Sequence, residues 1–338
     1  MSIAVDAEGG DYAPYEVVKG VIKAAQEYKV EITLVGRKDI LHVLAGRHLE
    51  RLGMTIVDAD EAIGFHDHPV EAVNSKPRSS IVVGTKLVKD GLASAFVSAG
   101  NTGAVFYAAL SILGRIKRIE RPAIGTIFSL GATTTPSLLI DSGANADCRP
   151  AHLVQFAQLG NTYARELFGI SSPRIGLLNN GEEEGKGNRL AKESYDLLKQ
   201  TKLDFIGNIQ GYDLARGTTD VIVTDGFTGN IILKTIEGLG ANWLYSLVQS
   251  GQRFSKAYRL SRQAMHRDMG VESWAKKVDY RESGGGALLG VNGNVVIAHG
   301  RSQAKAMMNA IGLAKRMVER HVCQKIKEGM YEQPRLHK

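Results

Sequence analysis

The sequence predicts an α/β fold, a mostly parallel sheet with helices on both faces in a three-layer α/β/α arrangement. Three observations predict it. Short β-branched runs alternate with longer stretches of helical periodicity along the chain. Nearly every predicted strand ends in glycine beside Asn, Ser, Thr or Asp, as expected where a strand hands over to a helix. The 338 residues, 43% hydrophobic and 23% charged, have an ordinary globular balance and can bury a sizeable core.

The elements follow in order. Ile3-Ala-Val-Asp6 reads as a strand before a helix over 16–28, Ile32–Val35 before 39–52, and Met54–Val57 before 79–90. Ala95–Ser98 precedes a helix over 103–114. Ser137–Asp141 precedes one near 150–168, and Arg174–Leu178 one over 188–200. Val221–Thr224 leads into a long helical pattern from Gly229. Sheets of this kind place ligand sites at the carboxyl ends of their strands. Residues 230–280 contain no strand signal, longer than a usual crossover, which predicts a projecting helical arm; the alternative is a two-helix crossover lying flat on the sheet. With no Pro- or Ser-rich linker, residues 1–338 are expected to form one domain.

Composition narrows the function. Two cysteines, Cys148 and Cys323, without CxxC spacing make a disulfide framework untenable. His66-Asp-His68 lacks a helical i,i+4 partner or a nearby Cys and reads as a solvated loop, so no metal or other cofactor is expected. No apolar run approaches the roughly 20 residues of a spanning helix, and the N-terminus shows no basic flank or cleavage site; a cytoplasmic protein is expected. The formal net charge of +7 favours acidic partners, among them phosphate, nucleic acid, an anionic membrane or an acidic protein.

Five polar glycine turns carry the chemistry: Asp6–Asp11, Ser98–Gly103, Asp141–Asn145, Asn179–Asn188 and Asp225–Asn230. Glycine lets backbone N–H groups approach an anion, and the next helix adds its positive end. Together they are expected to converge on one phosphate. None is a Walker A sequence, and no Gly-x-Gly-x-x-Gly follows the first strand, which argues against an ATPase or a nicotinamide enzyme. Lys76-Pro-Arg78-Ser79-Ser80 sets two cations and two hydroxyls before a helix, where Ser79 or Ser80 can cap the helix and bind the same ligand. Lys186 lies between glycines after Glu182, Glu183 and Glu184, a placement better suited to ligand contact than to solubility.

These segments together resemble the bacterial phosphate acyltransferase family, PlsX, along almost the whole chain. The likeness rests on Gly9–Pro14, Lys76–Ile81, Ser98–Ala104, Arg121–Ile124, Asp141–Asn145, Gly176–Glu183 with Lys186–Asn188, Gly207–Gly211, Asp220–Asn230, Leu288–Gly293 and His299–Ser302. Two departures are Glu8, where the family usually has Met, and Gly125–Leu130, which puts the shape of one site-facing loop in doubt. The resemblance implies transfer of a fatty acyl group from acyl-carrier protein to inorganic phosphate for phospholipid synthesis. It also implies a fold like that of phosphotransacetylases and isocitrate-type dehydrogenases, a homodimer, peripheral membrane association, and no nucleic-acid partner. A phosphotransacetylase using an acyl-coenzyme A is the alternative.

Direct attack by phosphate needs no protein nucleophile, so the chain must position two substrates and stabilise an oxyanion. On that reading Lys76, Ser79, Ser80, Asn101, Thr102, Gly103, Lys186 and Asn188 are assigned to phosphate. Asn145, Asn208 and Asn230 are candidate carbonyl or oxyanion donors. Asp225 orients a lysine, protonates the leaving thiol, or only caps the next helix. In the arm, Phe254, Ala257, Tyr258, Ser261 and Met265 fall on one side with Arg253, Lys256 and Arg267 around it, which suits an anionic bilayer or the carrier protein; a dimer contact is the alternative.

Overall fold

The computed structural model describes residues 1–129, 136–239 and 284–332. Eleven strands form one sheet: β1 Ser2–Asp6, β2 Glu31–Gly36, β3 Met54–Asp58, β4 Ala95–Ser98, β5 Ala123–Phe128, β6 Ser137–Ile140, β7 Ile175–Leu178, β8 Phe205–Ile209, β9 Val221–Val223, β10 Gly286–Leu289 and β11 Asn294–Ile297. Their order is β3-β2-β1-β4-β11-β10-β5-β6-β9-β7-β8. The antiparallel pairings, β11–β10, β10–β5 and β5–β6, all lie in the middle. The remaining neighbours are parallel. Three reversals turn the strand direction over. The carboxyl ends of β1, β4 and β11 therefore face one edge, and those of β6, β9, β7 and β8 the other.

Strand periodicity explains the layers. Ile3 and Val5 enter one core while Ala4 enters another, and Leu138 and Ile140 are likewise separated from Leu139. The first face is covered by helices α1 (Tyr15–Tyr28), α2 (Lys38–Leu52), α6 (Pro150–Phe168) and α7 (Arg189–Lys199). The C-terminal helices, α9 (Ala304–Glu319) and α10 (Val322–Glu332), lie on the same face. On the second face, α3 (Pro69–Ser75), α4 (Ser80–Lys89) and α5 (Thr102–Ala108) pack over the β1–β4–β11 half. Residues 226–239, α8, bring Ile232, Leu233 and Ile236 onto Leu139, Ile209 and Ile222 of the other half.

Two corrections concern the sequence reading. Residues 125–128 are not a loop: they belong to β5, hydrogen-bonded between β10 and β6. Strands β8 and β10 carried no separate strand signal, because Gly286-Ala-Leu-Leu289 has no β-branched residue and Phe205-Ile-Gly-Asn-Ile209 is broken by glycine. The arm from residue 240 onward, including Arg253–Arg267, lies outside the described residues.

Candidate functional site

The glycine turns assemble as two groups rather than one. At the edge formed by β1, β4 and β11, the buried Asp6 carboxylate accepts from Ser98 Oγ (2.6 Å) and from the Glu8 N–H (3.0 Å). Gly100 N–H in turn donates to Ser98 Oγ (3.0 Å). Burial pushes the Asp6 carboxyl above its usual range against the hydrogen bonds of Ser80 and Ser98. Ser80 is thus turned to Asp6 and not toward a ligand.

Around this turn several predicted phosphate ligands are already engaged. Lys76 Nζ donates to Asp67 Oδ2 (2.6 Å) and to the Ala62 carbonyl (3.0 Å). Its ammonium holds the Asp67 carboxyl below the usual range. Asn101 Oδ1 caps α5 through Ala104 N–H (3.1 Å), while its amide donates to the carbonyls of Gly64 (3.1 Å) and Asp67 (3.2 Å). Both side chains fasten the 61–67 loop. Gly103 packs against Pro69, which a Cβ would approach to 2.7 Å. Thr102 is exposed at the first turn of α5. Ser79 occupies the N-cap position of α4 but makes no cap bond; its Oγ is buried without a hydrogen-bond partner. A buried orphan hydroxyl is a group poised for a missing acceptor or donor.

The other group lies at the carboxyl ends of β6, β9, β7 and β8. Asp141, fully buried, accepts from the N–H groups of Ile124 (3.0 Å), Gly143 (3.1 Å), Ala144 (3.0 Å) and Asn145 (2.7 Å), and from Asn145 Nδ2 (2.8 Å). Burial raises its pKa despite these donors. The same Nδ2 donates to the Pro122 carbonyl (2.8 Å), so both amide protons of Asn145 are spent and its side chain is not a free oxyanion donor. Asp225 makes the contacts of a helix cap: Oδ1 accepts from Thr228 N–H and Oδ2 from Thr228 Oγ1, each at 2.8 Å. The close seating of α8 depends on glycine. A Cβ on Gly226 would lie 2.7 Å from the backbone of Asn145, and one on Gly229 would overlap the Asp141 carbonyl oxygen.

In the 179–188 turn the glutamates splay apart. Glu182 accepts from Tyr212 OH (2.5 Å), Glu184 from Lys199 Nζ (2.9 Å) and Tyr195 OH (3.1 Å), and Glu183 lies 3.7 Å from Lys186 Nζ. Lys199, then Tyr195, draw the Glu184 carboxyl down. Asn188 Oδ1 caps α7 through Ala191 N–H (2.8 Å), and Asn208 Nδ2 fastens the Glu183 carbonyl (2.8 Å) while its Oδ1 is buried and unpartnered. Lys186 has its side chain more than half exposed, and its backbone carbonyl is held by Asn179 Nδ2 (3.0 Å). Asn230 is exposed near the start of α8, beside Gly143 and close in the helix to the exposed apolar side chains Phe227 and Ile231.

Helix α8 connects the two groups. It starts at the second, and its Lys234 Nζ lies 3.0 Å from His299 Nε2 just beyond β11. Glu237 Oε2 accepts from Lys234 (2.8 Å) and stands 3.6 Å from His299. Burial pushes the Glu237 carboxyl up, but His299 and Lys234 outweigh it and hold it below the usual range. Sequence reasoning missed this trio, whose signal was the i,i+3 spacing of Lys234 and Glu237 ahead of His299-Gly-Arg301. Cys148 lies beside the second group, where burial, then the Asp141 and Asp225 charges, push its thiol up to about 12, which disfavours the thiolate.

The geometry defines an α/β protein with a phosphotransacetylase-like fold. A phosphotransacetylase from Streptococcus pyogenes superposes with a TM-score of 0.60 at 20% identity, covering 94% of each chain. A branched-chain phosphotransacylase from Enterococcus faecalis gives 0.59 at 17%, over 94% of this chain and 99% of that one. A putative 4-hydroxythreonine-4-phosphate dehydrogenase from Salmonella typhimurium gives 0.51 at 14%, with the same coverage. The chain belongs to the fatty acid synthesis protein family, whose model matches residues 1–325. It is 54% identical over 328 residues to a phosphate acyltransferase of Dehalococcoides mccartyi (97% of this chain, 94% of that one) and 47% identical over 332 residues to one of Dictyoglomus turgidum (98% of each). The protein is an acyltransferase.

Proposed function

We propose that this acyltransferase moves a fatty acyl group from an acyl-carrier-protein thioester onto inorganic phosphate, giving an acyl phosphate for phospholipid synthesis. The supporting observation is the N-terminal part of α8, where the open amide of Asn230 stands near exposed Phe227 and Ile231. An acyl thioester needs that pairing, a polar donor for its carbonyl beside an apolar edge for its chain, and a helix N-terminus favours the charge that develops there. The names of the relatives support phosphate as acceptor.

A phosphate oxygen attacks the thioester carbonyl carbon, the tetrahedral oxyanion collapses, and the C–S bond breaks to release the carrier thiolate, which takes a proton from solvent. Lys186 neutralises phosphate from its glycine-flanked turn, Asn230 donates to the oxyanion, and Asp141 holds the turn beside it in shape. No acyl-enzyme forms. The protein works as a homodimer at an anionic membrane surface, with 253–267 as the contact; among the described residues no helix is long and apolar enough to cross a membrane.

Purified protein with acyl-carrier thioester should release free thiol only when phosphate is added, and acyl-coenzyme A should serve poorly. Release without phosphate, or a stable acylated protein by mass spectrometry, would sink the mechanism; preference for acyl-coenzyme A would reassign the donor.

A further inference from the structure

Next to the Asp141–Asn145 turn, a cavity of about 590 Å³ opens between α5 and the start of α6. Helix α5 continues into a π-helical turn over Ala109–Leu113, and together they supply the apolar wall, Phe106, Tyr107 and Leu110. The lining also carries Arg115, Arg121 and Arg149 with a single carboxylate, Glu120. Glu120 is already committed. Its Oε2 accepts from Arg149 Nη2 (2.5 Å) and faces His152 Nε2 (3.4 Å), and its carbonyl accepts from Arg115 Nη1 (2.6 Å). Arg121, exposed in the lining, has no hydrogen-bond or ion-pair partner among the described residues. Burial, then the Arg149 charge, hold the His152 imidazole below its usual range, so it adds no further cation near neutral pH. The lining thus carries three guanidinium charges against one carboxylate, together with apolar and aromatic surface.

A pocket lined by both cationic and apolar groups recognises a molecule with one anionic end and one apolar end. We propose that this pocket binds a fatty anion, with Arg121 as the open ligand of its head group and Phe106, Tyr107 and Leu110 receiving the chain. The pocket adjoins the proposed transfer site: Pro122 lines the pocket, and its carbonyl accepts from Asn145.

The test is calorimetric titration of the full chain carrying Lys186→Ala, which disables the proposed transfer site while leaving this pocket intact. Octyl phosphate should bind saturably. Adding Arg121→Ala should weaken it at least fivefold, Leu110→Asp likewise, and Arg121→Lys should recover part of the loss, with thermal melting confirming that each variant is folded. Inorganic phosphate should bind at least tenfold more weakly. Octanoate in a parallel arm identifies the preferred head group, and saturable binding of either amphiphile supports the site. No saturable binding of either, affinity indifferent to Arg121→Ala in folded protein, or inorganic phosphate binding as tightly as octyl phosphate would overturn it. Pocket binding and thiol release are read separately, so either reading can fail without the other.

Discussion

Asp6 and Asp141 end comparable strands, are both buried, and both have their carboxyls pushed up by desolvation, yet they do different work. Asp6 is held mainly by side-chain hydroxyls, Ser98 and Ser80, and receives one backbone N–H. Asp141 receives four backbone N–H groups and an amide, so an entire turn, and through it the seat of α8, is folded around one carboxylate. Hydroxyls can rotate to another acceptor, but backbone donors cannot. The difference shows that equal burial does not mean equal structural weight; the kind of donor decides it.

Replacement of both carboxylates by alanine should expose this difference most strongly. Asp141→Ala is expected to lose about 3–5 kcal/mol, since several buried donors lose their acceptor at once, whereas Asp6→Ala should lose about 1–3 kcal/mol. Urea unfolding of the two variants measures both, and equal losses would refute the distinction. Next in size, Lys186→Ala should lower turnover at least tenfold, about 1.4 kcal/mol or more, in a protein that unfolds at the wild-type urea midpoint. Lys76→Ala should cost less turnover, because its ammonium is already held by Asp67. A larger effect at Lys76 would move phosphate binding to the first group.

A finer separation comes from pH. Folding raises the Asp6 carboxyl above its ordinary 3.8, so the folded state favours the protonated form. That contribution is fully present below about pH 3.8 and is lost as pH rises through the folded value. Asp6→Asn removes it, and the stability of this variant relative to wild type should therefore improve as pH rises from about 4. Urea midpoints across pH 3.5–7 check the sign (the window follows from ordinary carboxyl values of about 4), and a flat difference would show that Asp6 does not titrate as described. The smallest effect is expected at Cys148. With its thiol at about 12, iodoacetamide should modify it slowly at pH 8 (about the ordinary thiol value), and Cys148→Ser should leave turnover within about twofold. Rapid alkylation with loss of turnover would contradict its buried setting.

Much of the fold was legible because its signals are local. The runs Ile3–Asp6, Ile32–Val35 and Ala95–Ser98 fall on β1, β2 and β4, and the helix over 150–168 falls on α6, since β-branching and periodicity act within a few residues. Strand β10 was not legible, because Gly286-Ala-Leu-Leu289 becomes a strand only by pairing with β11 and β5 on either side. In the site, the polar residue types were visible but not their partners. Asn101, Asn145 and Asn188 looked like ligands, and each proved to be holding backbone.

By itself the sequence determined the α/β class, the helices and strands of strong period, the turns rich in glycine, and through its motifs the family. Only the tertiary structure decided that the turns lie in two groups. Three antiparallel pairings in mid-sheet reverse the strands between β11 and β6, and the central one, β10 with β5, joins segments more than a hundred residues apart. The tertiary structure also decided which polar groups are spent and which are open. Asn145 and Asn230 carry the same amide, but Asp141 and Pro122 occupy one while solvent faces the other, and a hydrogen-bond partner contributed by another strand leaves no mark on the local sequence.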